Sequence, residues 1–88
     1  MNNLTFSDGT RNFIRVSKPT ARKAFNQGLK IALCPVKFNP CGFYFKAFIT
    51  SKHEDNNDFN KLVNAFETYN CQYAETGKYT AFYLVQEH

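Results

Sequence analysis

The sequence predicts one small α+β domain of ferredoxin-like β-α-β-β-α-β order, in which one antiparallel sheet carries two helices on one face. Two segments place apolar residues at helical spacing. One β-rich segment precedes the first of them, two lie between them, and another follows the second. A length of 88 residues leaves room for a single core. Residues 11–88 are therefore expected to form the domain, and residues 1–10 a loose N-terminal arm or a short flanking strand.

The first strand and the first helix follow this arm. Residues 11–16 are expected to be a short strand with Arg15 alternating outward. Ser17 stands where a helix N-cap belongs, Pro19 suits the first helical turn, and Gly28 suits the C′ position. The apolar stripe of this helix is Ala21, Ala24 and Phe25, and its outer side is expected to carry Lys18, Arg22, Lys23 and Asn26.

Two further strands should follow the first helix. Residues 30–38 are apolar and β-rich, but Pro35 cannot donate to a ladder, which predicts an edge strand. The second strand of a ferredoxin-like sheet lies at an edge, in agreement with that position. Residues 43–50 form the clearest strand, because Phe43, Phe45, Ala47 and Ile49 alternate with Tyr44, Lys46, Phe48 and Thr50.

The second helix and the last strand complete the predicted order. Asn56, Asn57 and Asp58 offer possible helix caps, and the amphipathic helix should end near residue 70. Its apolar positions are Phe59, Leu62, Val63 and Phe66. Residues 71–73, 74–77 and 78–86 are expected to form a short strand, a turn and a long final strand.

The composition excludes several classes of protein. With 43% hydrophobic and 20% charged residues, the chain is neither a disordered tail nor a membrane protein. The first residues lack the basic and apolar regions of a secretory signal. Three distant cysteines, Cys34, Cys41 and Cys71, are typical of free thiols in a reduced cytoplasm. We therefore expect a cytoplasmic protein with no membrane partner.

Catalytic and metal-binding motifs are lacking. Cys34, Cys41, His53 and Cys71 do not have the close spacing of a structural zinc site. His53 lies beside Glu54 and Asp55, a setting typical of a solvated loop rather than an acid–base centre. The chain also has no phosphate-binding glycine loop and no Ser-His-Asp arrangement. We expect a protein that is not an enzyme and has no cofactor.

Charge is segregated along the chain. Residues 1–53 carry nine basic residues against one acidic residue, while residues 54–88 carry two lysines against six acidic residues. Such segregation favours one surface that faces a polyanion, although folding could also interleave the two sets. The predicted binding residues are cations of the basic part: Arg11, Arg15, Lys18, Arg22, Lys23, Lys30 and Lys46. They could contact nucleic-acid phosphates, or an acidic or RNA-loaded protein.

The strand of residues 43–50 allows a second interpretation. Gly42, Phe43, Phe45 and Phe48 fit the RNP1 pattern of an RNA-recognition motif, whereas Cys41, Tyr44 and Lys46 do not. If the pattern held, Phe43 and Phe45 would stack bases on an open sheet. The competing interpretation places Phe43, Phe45 and Ile49 against the helices as core.

Four segments resemble small accessory proteins of bacterial plasmids, conjugative elements and phages. They are residues 18–25 (KPTARKAF), 31–35 (IALCP), 64–71 (NAFETYNC) and 77–83 (GKYTAFY). Some small proteins of that setting are anti-CRISPR proteins, so the resemblance implies an inhibitor that binds a Cas effector nuclease. Many such inhibitors are acidic DNA mimics, whereas this chain has a net charge of +4. The resemblance therefore implies contact with guide RNA, target DNA or an acidic protein surface.

Overall fold

The computed structural model describes residues 5–41, 47–54, 58–70 and 80–87. Residues 43–46 of the strand predicted at 43–50 lie outside these ranges. So do the short strand predicted at 71–73, the turn predicted at 74–77 and the first two residues of the final strand predicted at 78–86. Within them the chain forms β1 (Thr5–Ser7), β2 (Arg11–Val16), α1 (Lys18–Asn26), β3 (Ile31–Pro35), β4 (Phe48–Thr50), α2 (Phe59–Asn70) and β5 (Thr80–Glu87).

The strands form one antiparallel sheet in the order β1-β2-β5-β3-β4. The predicted α+β class is confirmed, and from β2 onward the elements follow the predicted β-α-β-β-α-β order. The ferredoxin-like strand order is not found. β3, the second strand of that series, lies between β5 and β4, so the edge position predicted for it is wrong. The arm also contributes to the sheet, because β1 pairs with β2 along its whole length.

Pro35 is accommodated by its place at the end of β3. The N–H of Val85 donates to the Lys30 carbonyl at 3.3 Å, and antiparallel pairs alternate from there between bonded and non-bonded positions. Pro35, opposite Thr80, therefore falls at a non-bonded pair, where its nitrogen faces away from β5. The described pairing of β3 with β4 stops earlier, at Leu33. The proline thus ends an interior strand instead of marking an edge.

Both faces of the sheet are apolar. The face under the helices carries a cluster of Ala21, Ala24, Phe25, Ile31, Leu33, Phe59, Leu62, Val63, Phe66 and Phe82. The opposite face carries a second cluster of Phe13, Ala32, Cys34, Ala81 and Tyr83, against which Phe6, Phe38, Cys41, Ala47, Ile49 and Val85 pack. β3 contributes to both clusters, and each of its residues is buried.

Local signals in the sequence define both ends of α1. The Ser17 hydroxyl accepts from the Thr20 N–H at 3.4 Å, which confirms the predicted N-cap. Gly28 has a φ of +87°, its N–H donates to the Phe25 carbonyl, and the N–H of Leu29 donates to the Ala24 carbonyl, both at 3.0 Å. These two bonds form the Schellman arrangement that a C′ glycine permits.

α2 also follows its predicted pattern. The Asp58 carboxylate accepts from the Lys61 N–H at 2.9 Å and caps the helix. The four predicted apolar positions are all buried in the cluster beneath the helices. Among the described residues, neither helix combines the length and apolar character needed to span a bilayer.

Gly9 and Gly28 both have a positive φ but differ in their surroundings, so alanine substitutions at the two positions can be compared. We expect Gly9→Ala and Gly28→Ala each to lower the free energy of unfolding by roughly 1–2 kcal/mol, because alanine is strained at positive φ. A Cβ at Gly9 meets nothing within 4 Å, whereas one at Gly28 would lie 3.0 Å from His53 Nε2. Urea unfolding measures both losses, and only Gly28→Ala should shift the NMR resonances of the His53 imidazole. Unmoved His53 resonances in Gly28→Ala would contradict the described packing.

Candidate functional site

The outer side of α1 is a basic surface. Lys18, Arg22 and Lys23 are exposed there, while the opposite side of the helix is buried in the core. Among the described residues, no carboxylate lies within 4.0 Å of these three cationic groups. The first turn of α1 has no acidic residue, so the positive end of the helix dipole adds to the charge of Lys18. We call these three residues the α1 basic face.

Arg22 is held in a defined position on this surface. Its guanidinium lies 5.7 Å from the centroid of the Phe59 ring, a cation–π geometry that contributes about 0.5–1 kcal/mol at exposed sites. Phe59 in turn packs on Phe25 and Phe82, with ring centroids 6.0 and 5.8 Å apart. The core therefore orients an arginine whose charge still faces solvent.

Arg11 and Lys30 have acidic partners. Glu87 accepts from Lys30 Nζ at 3.0 Å and lies 3.7 Å from an Arg11 nitrogen, and Asp8 lies 4.0 Å from the other terminal nitrogen of Arg11. These side chains are about one-third to one-half exposed, so each pair contributes only ~0–1 kcal/mol. The pairs nevertheless offset the two positive charges at this end of the sheet.

Arg15 lies on the sheet face opposite the helices. It shares that face of β2 with Phe13, because side chains two apart point the same way. Its cross-strand neighbour is Tyr83, which makes edge-to-face contacts with Phe6 and Phe13 at 5.9 and 6.4 Å. The predicted binding residues are thus divided: three lie on α1, Arg11 and Arg15 lie on the other side of β2, and Lys30 pairs with Glu87. Lys46 lies outside the described residues.

The described sheet does not present its central aromatics for base stacking. Phe13 and Tyr83, on the face away from the helices, are each only 2% exposed. Phe43 and Phe45 lie outside the described residues. Ile49 packs on the same second cluster, so the interpretation that placed it against the helices is wrong. Phe48 instead stacks on Phe66 of α2 at 6.4 Å.

The described cysteines are poor nucleophiles. Burial raises the pKa of Cys34 to about 12, and its thiol lies 3.3 Å from the Phe38 carbonyl. Burial also raises the pKa of Cys41, and both thiols are free. Both side chains are therefore protonated at neutral pH. Within the described ranges, no three His, Cys, Asp or Glu residues are grouped as a metal site.

Two cavities border α1 and share Asn26. One, of about 130 Å³, lies between Arg22 and the start of α2, where it is lined by Asp58, Phe59 and Asn60. The other, of about 450 Å³, lies at the C-terminal end of α1 and is lined by Asn26, Gln27, Gly28, Lys52 and His53. Lys52 and His53 were not among the predicted binding residues. No local sequence pattern places Lys52 and His53 beside α1, because the loop after β4 reaches the helix only in the folded chain.

Comparison of the chain with protein-family models, with curated proteins and with solved structures finds no significant match.

Hydrogen bonds in the turn before Arg11 lower the pKa of the Asp8 carboxyl. One oxygen of Asp8 accepts from the N–H of Thr10, the hydroxyl of Thr10 and the N–H of Arg11, each at 2.9 Å. The Thr10 N–H is the largest cause of a pKa for Asp8 that falls from 3.8 to about 2. Because the folded pKa is depressed, the stability from Asp8 is complete above about pH 4 and is lost as the pH falls toward 2.

An NMR titration of the Thr10 and Arg11 amide protons should therefore show a midpoint near pH 2. Asp8→Asn keeps an acceptor oxygen but cannot titrate, so its amide shifts should not change over this range. A midpoint near the ordinary value of 3.8 would contradict the hydrogen bonds at this turn.

Proposed function

We propose that the chain is a non-enzymatic binding protein whose α1 basic face contacts the phosphate backbone of a nucleic acid. We further propose that it uses this contact to inhibit a nucleic-acid-guided bacterial nuclease of the Cas effector class, within the host cell. Guide RNA or target DNA would supply the phosphates.

The observation that carries the proposal is the contrast between two groups of cations. Lys18, Arg22 and Lys23 are exposed, and within the described chain no carboxylate lies within 4.0 Å of their cationic groups. Arg11 and Lys30, in contrast, share Glu87. Phosphate binding gains affinity from cations that can displace the counterions of the polyanion, and unpaired cations do so without breaking an existing ion pair. The oriented Arg22 also loses less side-chain freedom on binding.

The inhibitory role is supported by the resemblance to accessory proteins of mobile elements and by the lack of catalytic motifs. The positive charge favours a contact with nucleic acid over the DNA mimicry of acidic inhibitors. An inhibitor of this kind should stay bound in stoichiometric amount to its guide-loaded nuclease after free nucleic acid has been digested.

The alternative is a free-standing nucleic-acid-binding module that uses the same α1 basic face. It is favoured by the fact that backbone contacts need only accessible cations and no second protein. The version in which Phe43 and Phe45 stack bases stays a prediction, because both residues lie outside the described ranges; the described aromatics Phe13 and Tyr83 are buried. A module of this kind should not remain bound to a nuclease once the nucleic acid has been digested.

Fluorescence-anisotropy titration with labelled RNA and duplex DNA at several salt concentrations tests the contact. Lys23→Ala should weaken binding and lower the salt slope by about 1, because one phosphate contact is lost. Lys61→Ala is the matched control: it removes an exposed lysine from α2 and should leave the slope unchanged. Equal effects of the two substitutions would show that only net charge matters, and absence of binding by the unmodified chain would overturn the proposed contact.

A further inference from the structure

The cavity at the C-terminal end of α1 has the chemistry of a base-recognition site. It is an open depression of about 450 Å³. The side-chain amides of Asn26 and Gln27 each offer a donor and an acceptor, and Lys52 adds a positive charge. Amide side chains of this kind form paired hydrogen bonds with the edge of a base.

His53 supplies a flat ring beside these amides. The imidazole lies close to Gly28, where a Cβ would come within 3.0 Å of Nε2, so the lack of a side chain at Gly28 lets the ring approach the end of the helix. Rings of this kind stack on unpaired bases. The main-chain N–H groups of Gln27, Gly28 and Leu29 are already bonded within the helix end, which leaves the side chains of this turn for a ligand.

The cavity neighbours the α1 basic face through Asn26, which lines both cavities. The smaller cavity is also lined by Arg22 of the basic face and by the acidic Asp58. A strand whose phosphates contact Arg22 would therefore bring the neighbouring nucleotide to Asn26. Phosphate contacts fix the position of a strand, whereas contacts with base edges distinguish its sequence.

We propose that this cavity takes one unpaired nucleobase of a single-stranded nucleic acid. Asn26 and Gln27 bond its edge, His53 stacks on its face, and Lys52 contacts a flanking phosphate. The inference deepens the proposed function and depends on it, because it names the form of nucleic acid bound beside the α1 basic face.

The test is anisotropy titration of the full chain with labelled RNA homopolymers of A, U and C of equal length, at near-physiological salt. The unmodified chain should prefer one of them by roughly fivefold to a hundredfold, the effect of one paired amide contact. The double variant Asn26→Ala, Gln27→Ala should abolish this preference while the salt slope stays unchanged. Gln86→Ala removes an exposed amide that lines neither cavity and should keep the preference.

The outcomes separate this inference from the proposed function. Equal affinity for the three homopolymers, or a preference that survives the double variant, would overturn the base site while the backbone contact stands. Stronger binding to duplex than to single strands would also overturn it, because a paired base cannot enter the cavity. Absence of binding to every oligonucleotide would overturn the proposed function, and the base site with it.

Discussion

The central position of β5 is the constraint on which the structure depends. This strand pairs with β2 on one side and β3 on the other, so it joins the two halves of the sheet. Phe82 faces the cluster under the helices, while Tyr83 faces the cluster on the other side. Both faces of the sheet carry packed clusters, whereas the outer side of α1 is a described surface that the core does not use.

The same packing explains why the positive charges are divided. β2 alternates its side chains between the two faces, which sends Arg11 and Arg15 away from the helices. α1 leaves the sheet immediately after Ser17 and turns Lys18, Arg22 and Lys23 toward solvent. Residues close in sequence therefore reach different surfaces. Phe59 connects the core to the α1 basic face. It packs in the cluster under the helices, and the Arg22 guanidinium lies over its ring.

Local structure could be predicted from the sequence to a large extent, whereas strand order could not. The caps at Ser17 and Asp58 and the C′ glycine at Gly28 depend on neighbouring residues, and all three are found. Strand order depends on contacts between distant segments, about which periodicity carries no information. One signal was available: the uninterrupted apolar run before Pro35 is typical of a strand buried on both faces. Lys52 and His53 reach α1 through tertiary folding alone.

We propose that α1, and not the second face of the sheet, contacts nucleic acid. Mapping of amide chemical-shift changes on addition of a single-stranded RNA tests it most directly. We expect the largest changes at Lys18, Arg22 and Lys23, with small changes at Arg15 and Tyr83. Changes concentrated at Arg15 and Tyr83 would contradict it and would move the interface to the second face of the sheet.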